Sequence, residues 1–170
     1  GDGDGDGDPN ECANPQEAWI FCDDFETSGP EVGDGSYFEY GDSNGQFVAE
    51  DGAGLGGSRG MRTWFEEGQV DVGSLKLAFG RNPYGYMNRG IRADEDFREI
   101  WYRMYLRNDE GWEGSPAKLS RATVFTSADD WSQAMIAHLW SGDASALMLD
   151  PVSCVEGSNV VCQGYNDFGN

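Results

Sequence analysis

The residues best suited to chemistry lie in the segment 97–107, Phe-Arg-Glu-Ile-Trp-Tyr-Arg-Met-Tyr-Leu-Arg. Successive side chains of a strand point to opposite faces of its sheet. As a strand, this segment puts Trp101, Arg103, Tyr105 and Arg107 in one row and Ile100, Tyr102, Met104 and Leu106 in the other. Two aromatic rings interleaved with two guanidinium groups can stack on sugar rings and hydrogen-bond hydroxyls or carboxylates. Arg121 extends the same chemistry. The expected orientation turns this row to solvent, because a slip by one residue would bury two guanidiniums, each costing several kcal/mol when unpaired. His138, the single histidine, sits in the run Trp-Ser-Gln-Ala-Met-Ile-Ala-His-Leu-Trp and is a candidate general base. There Ile136, His138 and Trp140 compete with Met135, Ala137 and Leu139 for the core face. A helix also satisfies this periodicity, but the flanking turn signals favour a strand.

Asp23, Asp24 and Glu26 offer three carboxylates within four positions, and Asp42 lies in a nearby turn. Hard oxygen ligands of this kind suit a structural calcium ion, and an acidic surface turn is the alternative. Residues 1–9 repeat Gly-Asp, with Asp2, Asp4, Asp6 and Asp8 at alternate positions. The pattern opens like a calcium loop. Counted from Asp2, however, the twelfth position is Ala13, and counted from Asp6 the turn-glycine position holds Glu11. Residues 1–16 therefore read as a self-repelling acidic linker, leading into one domain over 17–170. The glycine-rich stretch 51–58 suggests a phosphate cradle, but no Gly-Lys-Ser/Thr follows it.

Cys12, Cys22, Cys154 and Cys162 are even in number and match no zinc spacing. They are expected to form two short disulfides, Cys12–Cys22 and Cys154–Cys162. This favours an extracellular or cell-surface location. No apolar run is long enough to span a bilayer, so no membrane insertion is expected.

Stepwise along the chain, strand patterns fall at 18–26, 36–40, 45–50, 59–65, 74–79, 97–107, 118–126, 131–140 and 144–149, with turn residues between them. With 25 glycines and 13% aromatic residues, this pattern indicates an all-β sandwich, and long amphipathic helices are not visible. The final residues, 165–170, approach a strand without supplying one, so the expected sandwich lacks its C-terminal strand. A formal charge of −20 is unevenly spread: residues 1–58 hold 15 acids and no Lys or Arg, and all 11 basic residues lie between Arg59 and Arg121. That window is close to neutral, so the clustered basic footprint that nucleic acid requires is missing. A monomer is expected.

Asp23-Asp24-Phe25-Glu26, Ser58-Arg59-Gly60-Met61-Arg62, Leu75-Lys76-Leu77-Ala78-Phe79-Gly80, the 101–107 row and Gly111-Trp112 with Lys118 together resemble secreted bacterial proteins of the concanavalin A-like lectin/glucanase superfamily. The resemblance covers residues 18–170 and is one of layout. It implies a jelly roll of two antiparallel sheets, a concave face that meets carbohydrate and, often, a structural calcium. Members include glycoside hydrolases, polysaccharide lyases and non-catalytic LamG-like modules. The laminarinase-type Glu-x-Asp-x-Glu pattern is absent. So is the lyase Gln-Ile/Val-His pattern, since Ile136 is two positions before His138 where the glutamine belongs. Tyr165-Asn166 echoes the lyase Tyr-Asn-Gln segment, but Asp167 departs from it. The leading expectation is a non-catalytic module that binds a polysaccharide through Trp101, Arg103, Tyr105, Arg107 and Arg121. The enzymatic alternative is a lyase acting on a uronic-acid polymer, with Arg103 neutralising the carboxylate and His138 or Tyr105 abstracting the proton. A third reading is a structural extracellular domain.

Overall fold

A computed structural model describes residues 11–33, 36–69, 71–82, 90–112, 117–125, 133–141 and 147–160. Its regular elements are short antiparallel strands and two 3-10 turns, Glu11–Ala13 and Leu55–Gly57, so the chain is β-rich as its composition suggests. It divides into two compact units, Gly1–Arg81 with Gly85–Tyr102, and Asn82–Tyr84 with Arg103–Asn170.

In the first unit, β1 (Glu39–Gly41) and β2 (Phe47–Asp51) are followed by β3 (Arg59–Thr63) and β4 (Ser74–Lys76). Alternation makes β1 and β2 look like the two arms of one hairpin. Instead β1 pairs with β4 and β2 with β3. The turn between them explains this, because Ser43, Asn44 and Gly45 all have left-handed φ, at 51°, 58° and 85°. A two-residue hairpin uses at most two such residues. The Asp42 carboxylate accepts the Asn44 N–H at 3.1 Å, and its carbonyl accepts the Phe47 N–H at 2.9 Å. The chain is thereby redirected to a second sheet. Tyr37, Val72 and Ala78 are buried, and the Phe21 ring meets Tyr37 edge-on at 5.2 Å. Gly73 has φ 73°, and a side chain there would strike the Phe47 ring.

Residues 18–26 form no strand. Asp23 and Asp24 accept the N–H groups of Phe25 (2.8 Å) and Glu26 (3.2 Å), local bonds that compete with a ladder. Residues 97–107 also depart from expectation, since they carry no regular secondary structure. Both rows are exposed: Ile100, Tyr102, Met104 and Leu106 as well as Trp101, at 87%, and Tyr105. Alternation prepares two faces, but a strand exists only where a second backbone supplies hydrogen bonds. None of the described strands pairs with this segment.

The second unit contains a three-stranded antiparallel sheet in the order β5 (Ala117–Phe125), β6 (Gln133–Ser141), β7 (Leu147–Ser153). Pro151 lies in β7 opposite Ala137. A residue without an N–H is tolerated there because β7 has only one described neighbour. A short hairpin, β8 (Val155–Glu156) with β9 (Asn159–Val160), follows. Ile136 and His138 are buried, at 4% and 5%, which settles the parity of β6 in favour of the even positions. The opposite face of the same sheet exposes Val124, Met135, Leu147 and Leu149. No helix among the described residues is long and apolar enough to cross a membrane.

Candidate functional site

The central strand β6 presents chemistry on its buried face. Arg121 on β5 stands directly opposite His138, Thr123 opposite Ile136, and Lys118 opposite Trp140. Directly opposed residues share a face, with Cβ atoms about 5 Å apart. The His138 and Trp140 rings lie 5.3 Å apart at 43°, and Lys118 Nζ sits 5.4 Å from the Trp140 ring centre. An ammonium at that distance is attracted by the electron-rich face of the indole.

Two register shifts complete this face. Phe125 pairs with Gln133 while Val124 pairs with Met135, so Ala134 is an extra residue in β6. A bulge of this kind flips the parity beyond it. Gln133, at odd spacing from His138, thereby joins Ile136 and His138 on the inner face and is 1% exposed. A second shift, between Lys118 and Ser120, brings Lys118 to the same side as Arg121. Simple alternation conceals both placements. Cys154 continues the ladder past the bulge through its N–H to Ala134 O, at 2.9 Å. It is disulfide-bonded and fully buried; its expected partner, Cys162, lies outside the described residues. Thr123 Oγ1 is buried without a hydrogen-bond partner among them.

The expected binding row does not share this sheet face as strand residues. Trp101 belongs to the first unit, whereas Arg103, Tyr105 and Arg107 belong to the second. Trp101 Nε1–H donates to Glu99 Oε1 at 2.6 Å, and the Arg103 guanidinium lies 5.3 Å from the Tyr105 ring centre. Tyr165 and Asn166 lie outside the described residues, as do the Gly-Asp repeat and its aspartates.

In the first unit, each of the four expected calcium ligands accepts a backbone N–H. Asp23, Asp24 and Asp42 each accept a backbone N–H two residues on, and Glu26 Oε1 accepts the Arg59 N–H at 3.1 Å. Among the described residues, no three His, Cys, Asp or Glu side chains form a group that could hold a metal. The glycine-rich loop after β2 likewise spends its donors internally: Gly52 and Gly54 both donate to Ser58 O, at 3.0 and 2.8 Å. A phosphate cradle would need those N–H groups turned outward. Arg59, Arg62, Lys76, Arg81 and Arg92 each pair with a carboxylate. These pairs are solvent-exposed and stabilise little individually.

A second pair was not legible in the sequence. Tyr37, buried, and Asp23 line one recess of about 150 Å³ with Phe21, Ser28, Glu31 and Ser36. Desolvation raises the Asp23 pKa, the Phe25 N–H and Tyr37 hydroxyl oppose the rise, and Asp24 and Glu31 add to it. Desolvation and the Asp23 charge likewise push the Tyr37 hydroxyl above its ordinary range. With its folded pKa raised, Asp23 favours the fold when protonated. That contribution is complete below the unfolded value of 3.8 and is lost as pH rises through the folded value. Asp23→Asn keeps an acceptor for Phe25 and removes the charge. It is expected to raise the melting temperature at neutral pH, with the gain vanishing in acid, as thermal melts across that range would read.

The chain matches no family model, no curated protein and no solved structure. Its function must therefore be argued from the site: a half-buried indole flanked by an ammonium and an imidazole, with a guanidinium beside the imidazole.

Proposed function

We propose that this chain is a secreted or cell-surface carbohydrate-recognition module of the concanavalin A-like β-sandwich type, binding a polysaccharide at the half-exposed Lys118–Trp140 end of the β5–β6 face. The observation that carries this reading is the cluster of Lys118, Arg121, His138 and Trp140 on one face of adjacent strands. An indole offers a flat apolar surface to the C–H face of a sugar ring, and the cationic groups around it address hydroxyls or carboxylates. The exposed apolar face opposite is the kind of surface a second sheet covers in a sandwich, and the Cys12–Cys22 disulfide accords with an oxidising compartment.

The opposition of Arg121 and His138 favours one second reading. In a lyase acting on a uronic-acid polymer, Arg121 would neutralise the carboxylate beside C5 while His138 takes the C5 proton, the C–H electrons form the C4=C5 double bond, and the C4–O bond breaks to release an oxygen that water protonates. Arg121 replaces Arg103 in this role because it shares the face of His138.

Affinity electrophoresis in gels containing neutral or uronic polysaccharides tests both readings, with ultraviolet absorbance reporting unsaturated product. Trp140→Ala is expected to weaken binding about tenfold, and Trp101→Ala to leave it unchanged. The opposite result would move the site to the exposed 101–107 row. No retardation by any polysaccharide would remove the carbohydrate reading, and product formation abolished by His138→Ala would establish the lyase.

A further inference from the structure

We infer that residues 97–105 are a strand whose partner is the same segment of a second copy, paired antiparallel about a two-fold axis through Trp101. The segment has strand alternation, carries no secondary structure, is paired by no described strand and exposes both of its rows. Glu99 contacts Trp101, and Arg103 contacts Tyr105. These are the i,i+2 neighbours that alternate residues of one strand face make. An exposed apolar stretch of this kind marks an interaction surface.

Charge complementarity selects the occupant. With the axis at Trp101, Glu99 of each copy faces Arg103 of the other, Phe97 faces Tyr105, and Ile100 faces Tyr102. This register makes two ion pairs and two aromatic pairs, the cross-strand combinations that stabilise antiparallel ladders. Shifting the axis to Tyr102 sets Glu99 against Tyr105 and forms no ion pair. An axis at Arg103 sets Glu99 against Arg107 but also sets the Arg103 guanidinium against its own copy, a like-charge contact that the Trp101 axis does not make. Two chains of formal charge −20 repel each other, but residues 97–107 carry three arginines and one glutamate. Here two copies can approach without meeting like acidic surfaces. A seam of one strand from each copy is small, so the dimer belongs with transient associations. The inference replaces the expected monomer and does not depend on the carbohydrate reading.

Sedimentation velocity over a concentration series tests it. Wild-type protein is expected to self-associate as concentration rises. Glu99→Arg and Arg103→Glu should each weaken self-association about tenfold or more, because each turns two ion pairs into two like-charge pairs. An equimolar mixture of the two variants should recover association as a heterodimer, and the chain carrying both substitutions should recover it alone. Circular dichroism would check that both variants stay folded, as their exposed positions predict. Monomer at every concentration, self-association unchanged in both single variants, or failure of the mixture to recover would each overturn the pairing.

Discussion

Gly60→Ala is expected to destabilise the first unit by roughly 2–4 kcal/mol, the range of overpacking and backbone strain. A Cβ at Gly60 would lie 2.7 Å from Gly54 Cα, 2.8 Å from Gly54 N and 3.2 Å from the Ala53 carbonyl carbon. All three are backbone atoms, so no rotamer change relieves the contact. The loop must lift, and with it go the hydrogen bonds from Gly52 and Gly54 to Ser58 O. Gly52→Ala provides the comparison, because Gly52 has φ 85° with open space around its missing Cβ. Its cost is conformational only, about 1 kcal/mol. Chemical denaturation of the two variants reads the difference directly. Equal losses would mean that the close approach of the 54 and 60 backbones is not what requires glycine.

The second large effect concerns the disulfide. Replacing both Cys12 and Cys22 by Ala is expected to cost about 3 kcal/mol, the loop-entropy value for a sequence separation of 10. The residues that this bridge tethers supply much of the local structure around Tyr37. Phe21 packs edge-on against that ring, and Asp23 lines the same recess. Loss of the bridge should therefore also release Tyr37, visible as a blue shift in the tyrosine ultraviolet difference absorbance. Denaturation in the presence and absence of reductant, with the double variant as reference, separates this bridge from the one at Cys154. A double variant as stable as the wild type would refute the assignment.

Much of this protein was legible from residue order alone. Strands at 47–51, 59–63, 117–125 and 133–141 follow from alternation and β-branched content, because a strand's two faces are written locally at a period of two. The Cys12–Cys22 bridge follows from short spacing. The uneven placement of charge, acidic over 1–58 with every basic residue between Arg59 and Arg121, is likewise read without reference to any fold. Tertiary structure decided what required a partner or a change of phase. Asp42 to Gly45 turned β1 and β2 into separate sheets through three consecutive left-handed residues, a conformation that their types permit but do not compel. Residues 97–107 alternate as cleanly as any strand in the chain, yet no described strand pairs with them. Hydrogen bonding between strands is a property of two segments, and the pattern of one cannot supply the other. Gln133 and Lys118 reached the His138 face only because one extra residue in each of β6 and β5 reverses the alternation. Asp23 and Tyr37, 14 positions apart in the sequence, came to line one recess only when folding set an exposed carboxylate beside a buried ring.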